Sequence, residues 1–123
     1  DMKEIQYTTG DRFSDIPTLM MKLKERTNFG KFLVTMGYDG AMYHHNGYIY
    51  SSPAFVKRPV DTVGAGDAVF AVTSLLAYTK DDDILPFIAN CVGGIAVSYI
   101  GNKESVTKEK LISFIKELYD EVE

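Results

Sequence analysis

A glycine-rich loop flanked by aspartates lies just before an apolar run in the middle of the chain. It reads DTVGAGDA from Asp61 to Ala68, and the small residues Gly64, Ala65 and Gly66 leave its backbone N–H groups accessible. Backbone N–H groups at the start of a helix bind anions such as phosphate, because the helix dipole adds positive potential there. The next residue, Asp67, is itself an anion. The loop therefore predicts a carboxylate beside a phosphate site.

Three interpretations of this loop are open. The first is an ordinary helix N-terminus in which Asp67 favours the helix dipole. The second is a dinucleotide-binding G-x-G-x-x-G fingerprint, but Val69 stands where the third glycine should be and no strand leads directly into the loop. The third is a phosphoryl-transfer site, in which the amides of residues 64–67 stabilise the developing charge and Asp67 accepts the proton of the attacking hydroxyl. Only the third interpretation gives the carboxylate a chemical role beside the anion.

The segments before the loop predict a helix followed by a strand. Residues 1–14 carry no clear pattern, and the letters EIQYTT within them are compatible with a strand. Asp15 can cap a helix that runs to about Thr27, with Pro17 in its first turn. The apolar run KFLVTMG, residues 31–37, predicts a buried strand.

A hairpin and one more extended segment are predicted between this strand and the loop. Asn46-Gly47 separates two β-rich runs, which is a strong signal of a two-residue hairpin turn. His44 and His45 are expected at the surface of the hairpin, and as neighbours on a strand they point to opposite faces and do not easily share a metal ion. Residues 54–59 predict the further extended segment.

Three helices are predicted after the loop. The first begins at Asp67 and is expected to be buried on most sides, because its run AVFAVTSLLAY is apolar and free of proline and glycine. The second is capped by residues 81–83 and ends at Gly101-Asn102, and the third is capped by Thr107. The inner face of the third helix is predicted to consist of Leu111, Ile112, Ile115, Leu118, Tyr119 and Val122.

The composition limits the classes of function. The chain has 123 residues and a net charge of −4, which suits a single domain, residues 1–123, and disfavours a nucleic-acid partner. No apolar run reaches the length of a membrane span, so no membrane partner is expected. The single cysteine, Cys91, is expected to be a buried packing residue, and its isolation fits a reducing, cytoplasmic setting. Helix, strand, hairpin and further helices together predict an α/β fold whose few strands form one side of a larger sheet.

Three segments in this order resemble the PfkB carbohydrate kinases, the ribokinase-like family. DTVGAGDA resembles the family's C-terminal signature, and VTMGYDGA, residues 34–41, resembles the strand and turn that contact the nucleotide. ANCVGGIAVSYIG, residues 89–101, resembles the helix that flanks adenine. The resemblance covers roughly residues 31–123.

The resemblance implies a three-layer α/β/α fold and ATP-dependent phosphorylation of a small sugar or sugar-like alcohol. By position, Asp67 would be the catalytic base, and Gly64, Ala65 and Gly66 would form the anion hole. The implied ATP-binding residues are Thr35, Gly37, Gly40, Gly66 and Asn90. Mg²⁺ would arrive with ATP. Many family members also hold K⁺, and the matching positions here are Asp61, Val63, Ala96, Tyr99, Gly101 and Ser105.

The family's early glycine pair, its sugar-binding strands and its Asn-x-x-Glu motif have no counterpart in this sequence. The resemblance therefore implies the C-terminal, nucleotide-binding part of a longer kinase, which is expected to be inactive without its N-terminal part and to form a homodimer when complete. Within this resemblance, Gly93-Gly94 serves either close helix packing or room for a purine ring.

Other functions stay open at this point. They are a kinase of the same superfamily for a nucleoside or for a vitamin-type hydroxymethyl substrate (a pyrimidine or pyridoxal), the sugar-kinase half of a bifunctional heptose kinase and nucleotidyltransferase, and a non-catalytic nucleotide-binding module.

Overall fold

The fold is a computed structural model that describes residues 1–56, 59–79, 81–100 and 103–121. Two helices precede a hairpin-containing antiparallel sheet, and further helices follow it. In chain order the elements are α1 (Met2–Thr9), α2 (Ile16–Arg26), β1 (Lys31–Thr35), a 3₁₀ turn (Gly37–Asp39), β2 (Ala41–His45), β3 (Tyr48–Ser52), α3 (Ala65–Leu76), α4 (Ile84–Ala96) and α5 (Lys108–Asp120).

The sheet lies between two layers of helices. Its strands follow the order β1-β2-β3, and Asn46 and Gly47 form the β2–β3 turn with φ angles of 51° and 84°, as the sequence predicts. Successive strand residues point to opposite faces. One face packs on a cluster with Ile5, Leu19, Met20 and Val34 at its centre, and the other packs on a cluster around Ala41, Val69, Ala89 and Val92. This three-layer α/β arrangement confirms the predicted fold class.

The first segment is helical, so the strand considered for it is wrong. Asp1 accepts a hydrogen bond from the backbone N–H of Glu4, and the Glu4 side chain bonds back to the Asp1 backbone, which completes a capping box. Ile5 and Thr9 face the core, and the helix ends at Gly10 with φ 69°. The predicted second helix is confirmed, since the Asp15 side chain caps it.

Residues 53–56, at the start of the extended segment that the sequence predicts over residues 54–59, form no strand. Pro53 follows β3 directly and has no N–H to continue the ladder. Residues 57 and 58 lie outside the described part of the chain.

The helix after the loop, α3, is more exposed than predicted. It begins at Ala65, and its buried residues are Val69 and Thr73. Phe70 is 74% exposed and Leu75 74%, because that side of the helix has no neighbouring element in the described structure.

The next helix, α4, ends at Ala96 rather than at the predicted Gly101-Asn102, which lies outside the described residues. The Val97 carbonyl oxygen accepts hydrogen bonds from the N–H groups of Val60 and Asp61, at 2.7 and 3.1 Å, and is therefore committed to the glycine-rich loop. Asp83 occupies the predicted N-cap position but makes no side-chain cap hydrogen bond.

The Thr107 side chain caps α5 as predicted, by accepting from the N–H of Lys110. Two residues predicted on the inner face of α5 are instead exposed, Ile112 by 43% and Tyr119 by 68%. Val122, also predicted there, lies outside the described residues. The helix contacts α4 through Phe114, whose ring lies beside Gly94. Within the described residues, no helix is both long enough and apolar enough to cross a membrane.

Candidate functional site

A cavity of about 200 Å³ lies where the turn after β1, the start of α3 and the middle of α4 meet. Its walls are mostly apolar or backbone, so it suits a flat organic group with few polar contacts. The candidate ligand residues that line it are Thr35, Gly37, Gly40, Ala65, Gly66 and Asn90. The fold thus brings together three segments that are far apart in sequence.

The start of α3 offers backbone donors to this cavity. Gly64 is the N-cap residue with φ 75°, a conformation that favours glycine, and it provides no side-chain cap. The N–H of Ala65 turns back to the carbonyl oxygen of Thr62 at 3.3 Å. For the N–H groups of Gly66 and Asp67 no acceptor is found in the described part of the chain. Unpaired N–H groups at a helix start fit a phosphate oxygen.

The Asp67 side chain lies beside the cavity rather than in its wall. Asp67 is exposed in the first turn of α3 and lines a second, larger cleft of about 1020 Å³. Thr35 and Gly66 line both the cavity and the cleft. An anion held by the α3 amides would therefore lie at the boundary of the two, with the Asp67 carboxylate on the cleft side.

The turn after β1 needs glycine for two separate reasons. Gly37 has φ 59° and Gly40 has φ 90°, both in the left-handed region. A Cβ on Gly40 would also lie 2.1 Å from the carbonyl oxygen of Ser52, so a side chain cannot be accommodated without moving the backbone. Gly40 therefore allows the turn to approach the end of β3 at the cavity wall.

Asn90 joins that strand end to α4. Its Nδ2 donates to the carbonyl oxygen of Ser52 at 2.9 Å and to that of Pro86 at 3.0 Å. The side chain is partly buried and lines the cavity. Asn90 is therefore both a clamp between β3 and α4 and a polar group of the cavity wall.

The two glycines in the middle of α4 serve different purposes, although both line the cavity. A Cβ on Gly94 would approach Val56 to 3.0 Å and Phe114 to 3.1 Å, so Gly94 permits close packing. A Cβ on Gly93 would make only an ordinary contact, 3.5 Å from Val69. Gly93 is therefore the one of the two that leaves space in the cavity.

Some candidate cation ligands lie near one another at the end of α4. The Asp61 carboxylate accepts a hydrogen bond from the N–H of Val63 at 3.0 Å, so the loop backbone turns around the Asp61 side chain. The Asp61 N–H binds the carbonyl of Val97, next to the buried Ala96. Asp61, Val63 and Ala96 thus belong to one region.

Two other candidate cation ligands, Tyr99 and Ser105, lie beside Lys110 instead. The Lys110 ammonium lies 4.8 Å from the ring centre of Tyr99 and 3.3 Å from the carbonyl oxygen of Ser105, and it also pairs with Glu104. Gly101, the last candidate, lies outside the described residues. These oxygen atoms therefore stay candidate K⁺ ligands, and the Lys110 ammonium already contacts one of them, the carbonyl oxygen of Ser105.

His44 is buried, contrary to the surface position expected from sequence, and His45 is partly exposed. His44 is 1% exposed and stacks on Phe32, with ring centroids 4.6 Å apart. His45 points to the opposite face, as predicted, and its Nδ1 lies 2.6 Å from the carboxylate of Asp82. Burial and the charge of Asp82 raise the pKa of the neighbouring Tyr43 to about 12. The continuous apolar run Phe32, Leu33 and Val34 of the paired strand β1 could have indicated a buried position for His44.

Cys91 is fully buried, which confirms its predicted packing role, and burial raises the pKa of its thiol to about 12.

Sequence reasoning missed the aromatic part of the cavity wall. Phe55 lines the cavity and packs edge-to-face against Phe87, with centroids 5.4 Å apart. No local motif marks a residue of an irregular loop as a wall residue.

Comparisons with known proteins agree on one family. The family model described as pfkB family carbohydrate kinase matches residues 3–109. The chain is 43% identical over 54 residues to a 2-dehydro-3-deoxygalactonokinase of Haloferax volcanii, covering 44% of this chain and 17% of the relative. It is 33% identical over 89 residues to an ATP-dependent ribose-1-phosphate kinase of Halopiger xanaduensis, covering 71% of this chain and 30% of the relative.

The solved structure of a ribokinase from Thermotoga maritima has the same fold. It superposes with a TM-score of 0.79 at 22% sequence identity, over 93% of this chain and 40% of the ribokinase. The chain therefore spans less than a third of these curated relatives and two fifths of that solved chain.

Proposed function

The chain belongs to the pfkB family of carbohydrate kinases, and from this we propose that it is the ATP-binding, C-terminal part of a kinase that phosphorylates a sugar hydroxyl. The observation that carries the proposal is the shared cavity. The turn after β1, the uncapped start of α3 and Asn90 all line it, although they are widely separated in sequence.

The chemistry of the donors supports a nucleotide triphosphate. The N–H groups of Gly66 and Asp67 provide fixed donors for phosphate oxygens, and the positive end of the α3 dipole adds to them. The apolar wall of Ala89, Gly93 and Val97 suits a base. ATP, when bound with Mg²⁺, supplies the transferable phosphoryl group.

Asp67 is proposed as the general base. Its exposed carboxylate lies on the cleft side of the phosphate site, where an acceptor hydroxyl can approach it. A carboxylate placed there accepts the hydroxyl proton while the adjacent amides hold the charge on the phosphoryl oxygens. We place the sugar in the cleft because Asp67 and Thr35 both line it.

K⁺ is proposed as an accessory ion on the carbonyl and carboxylate oxygens near the end of α4. The candidates are Asp61, Val63, Ala96, Tyr99, Gly101 and Ser105. Oxygen ligands suit a hard cation. Through the contact of Asp61 with Val97, an ion in this region would hold the glycine-rich loop against α4.

Two structural features support the proposal that this chain is part of a larger kinase. In the described structure β1 pairs on one side with β2, and its other edge is open. Beside that edge, Phe70 of α3 and Tyr78, two residues past the end of α3, are exposed. We therefore expect the 123-residue chain alone to bind ATP but not to phosphorylate a sugar.

Calorimetric titration of the chain with Mg-ATP, with and without K⁺, tests the proposal. The sharpest variant is Gly66→Asp, because a carboxylate is tolerated at a helix N-terminus but would repel phosphate. We expect saturable binding to the unchanged chain and binding weakened by about tenfold or more in the variant. Gly30→Asp is the matched control, since a Cβ on Gly30 meets no atom within 4 Å and Gly30 is outside the cavity.

An absence of ATP binding in both buffers would contradict the proposed nucleotide site in this chain. If Gly66→Asp and Gly30→Asp weakened ATP binding equally, the phosphates would not bind at the start of α3. If ATP bound equally well with and without K⁺, the proposed accessory ion would be rejected and the proposed nucleotide site would stand.

A further inference from the structure

The helix α3, which carries the proposed phosphate site at its start, is held to the rest of the fold by few contacts. Its buried residues, Val69 and Thr73, lie near its middle, and α4 is its one extensive neighbour among the described elements. Val69 shares a buried cluster with Ala89 and Val92 of α4, while the side that carries Phe70 is exposed. We therefore expect the direction of α3 to depend on the contacts that fix its two ends.

A lysine of β1 holds the C-terminal end of α3. The Lys31 Nζ donates a hydrogen bond at 2.5 Å to the carbonyl oxygen of Ala77, the C-cap residue of the helix. The last turn of α3 has no basic residue of its own. Lys31 thus supplies, from another element, the positive charge that the negative end of the helix dipole favours. This partly buried bond joins residues 46 apart in sequence and anchors α3 to the sheet.

The anchor lies at the opposite end of α3 from the proposed phosphate site. An α-helix rises by about 1.5 Å per residue, so the 12 residues of α3 span about 18 Å. Because the helix is stiff and is packed at its middle, a shift of its C-terminal end is mirrored by a shift of the N–H groups of Gly66 and Asp67 at its start. Hydrogen bonds to a phosphate weaken steeply when donor and acceptor move apart or out of line.

The cavity wall formed by α4 does not depend on this anchor. Eight of the 13 residues of α4 are buried, so the helix is fixed along its length. Its start is also joined to β2, because the Asp82 carboxylate lies 2.6 Å from the Nδ1 of His45. Loss of the contact between Lys31 and Ala77 is therefore expected to move the start of α3 and to leave the α4 wall in place.

We propose that Lys31 is a positioning residue of the phosphate site. By binding the carbonyl oxygen of Ala77, it holds α3 so that the N–H groups at the start of the helix meet the phosphate oxygens of the nucleotide. Lys31 acts through the helix, since a strand rises by about 3.3 Å per residue and Lys31 therefore lies about 13 Å along β1 from Thr35 in the cavity wall. This inference rests on the proposed function and adds to it a residue outside the ATP cavity.

The test compares Mg-ATP with adenosine, which has the base but no phosphate, in calorimetric titrations of the unchanged 123-residue chain and of Lys31→Met. Methionine has nearly the length of lysine but cannot donate to Ala77. We expect Mg-ATP binding to weaken by about fivefold, as for the loss of one hydrogen bond, and adenosine binding to stay unchanged. A solution of about 0.15 M ionic strength keeps the direct effect of the lost charge small, because charges more than about 8 Å apart are then largely screened.

Two further variants serve as controls. Lys31→Arg keeps both the charge and a donor, so it is expected to retain the Mg-ATP affinity of the unchanged chain. Lys116→Met removes an exposed lysine from α5 and is expected to change neither affinity.

The outcomes separate this inference from the proposed function. Mg-ATP affinities that are equal in the unchanged chain and in Lys31→Met would overturn the inference and leave the proposed function intact. Equal weakening of Mg-ATP and adenosine would indicate a purely structural role, and an equal loss in Lys116→Met would indicate an effect of net charge; either would overturn the inference. If neither ligand bound the unchanged chain, the proposed function itself would fail. If Lys31→Met does not fold, Lys31→Gln, which is shorter and uncharged, takes its place in the same comparison.

Discussion

At the scale of single residues, the burial of His44 makes the stability of this fold depend on pH. Its ring is buried against Phe32, and no hydrogen-bond partner is found for either ring nitrogen in the described structure. Burial, and then the charge of Lys24, lower the pKa of His44 below its ordinary value of 6.5. The folded state therefore favours the neutral ring.

The first prediction is that this chain loses stability in mild acid because of His44. The unfolded chain binds a proton at His44 as the pH falls through 6.5, whereas the folded chain does so only at a lower pH. The unfolded state then binds more protons, so the free energy of unfolding decreases as the pH falls. Urea unfolding at about pH 7.5 and about pH 5.5 measures this change.

The control for that prediction is His44→Phe, which keeps an aromatic ring on Phe32 and removes the titration. We expect its stability to vary less with pH than that of the unchanged chain. An equal pH dependence in both chains would show that His44 is not the source of the acid sensitivity.

At the scale of elements, α4 forms the central connection of the molecule. It contacts α3 and α5 as well as β2 and β3. Its two central glycines have different roles. Gly94 allows close packing against Val56 and Phe114, whereas Gly93 leaves space in the cavity, because a Cβ there would meet only Val69 at ordinary contact distance.

The second prediction is that alanine at these two positions has different effects on stability and on ATP binding. Gly93→Ala should stabilise the fold by up to about 1 kcal/mol, because alanine has the higher helix propensity. It should also weaken ATP binding, because the new methyl group reduces the cavity. Gly94→Ala should show no such stabilisation, since its Cβ approaches two side chains to 3.0 and 3.1 Å.

Thermal unfolding and calorimetry on both variants would check this pair. If Gly93→Ala bound ATP as tightly as the unchanged chain, the ligand would not reach the α4 wall. If Gly94→Ala were the more stable variant, close packing would not be the reason for its glycine.

At the scale of the whole molecule, the unpaired edge of β1 and the exposed face of α3 form one surface that no element of the described structure covers. Both line the cleft of about 1020 Å³, together with Glu4 of α1 and its N-cap residue Asp1. Phe70 is 74% exposed and Tyr78 92% exposed. An unpaired strand edge beside exposed apolar side chains promotes association with other chains.

The third prediction is that this chain self-associates through that surface. Phe70→Lys should lower the average mass measured by sedimentation velocity at high protein concentration, because it places a charge in the centre of the apolar face. Tyr119→Lys is the matched control, since Tyr119 is also an exposed aromatic, 68% exposed, but lies on α5. A chain that stays monomeric at all concentrations, or an equal effect of both variants, would argue against association through this face.

Local patterns in the sequence determined much of the fold and the identity of the candidate site. The Asp15 and Thr107 caps and the Asn46-Gly47 turn depend on hydrogen bonds and φ angles within a few residues, so the sequence is enough to predict them. The same is true of the glycine-rich loop, whose N–H groups are accessible because neighbouring residues are small. The helix of the first segment also has a local signal, the Asp1–Glu4 capping box.

Only the tertiary structure decided the features that depend on contacts between distant segments. The burial of His44 depends on Phe32 in the paired strand, and the end of α4 depends on the loop residues that bind Val97. The orientation of the Asn90 amide depends on the carbonyl of Ser52, which is 38 residues away in sequence. A sequence pattern records which side chain is present, but hydrogen-bond partners and solvent exposure are set by segments that meet only when the chain folds.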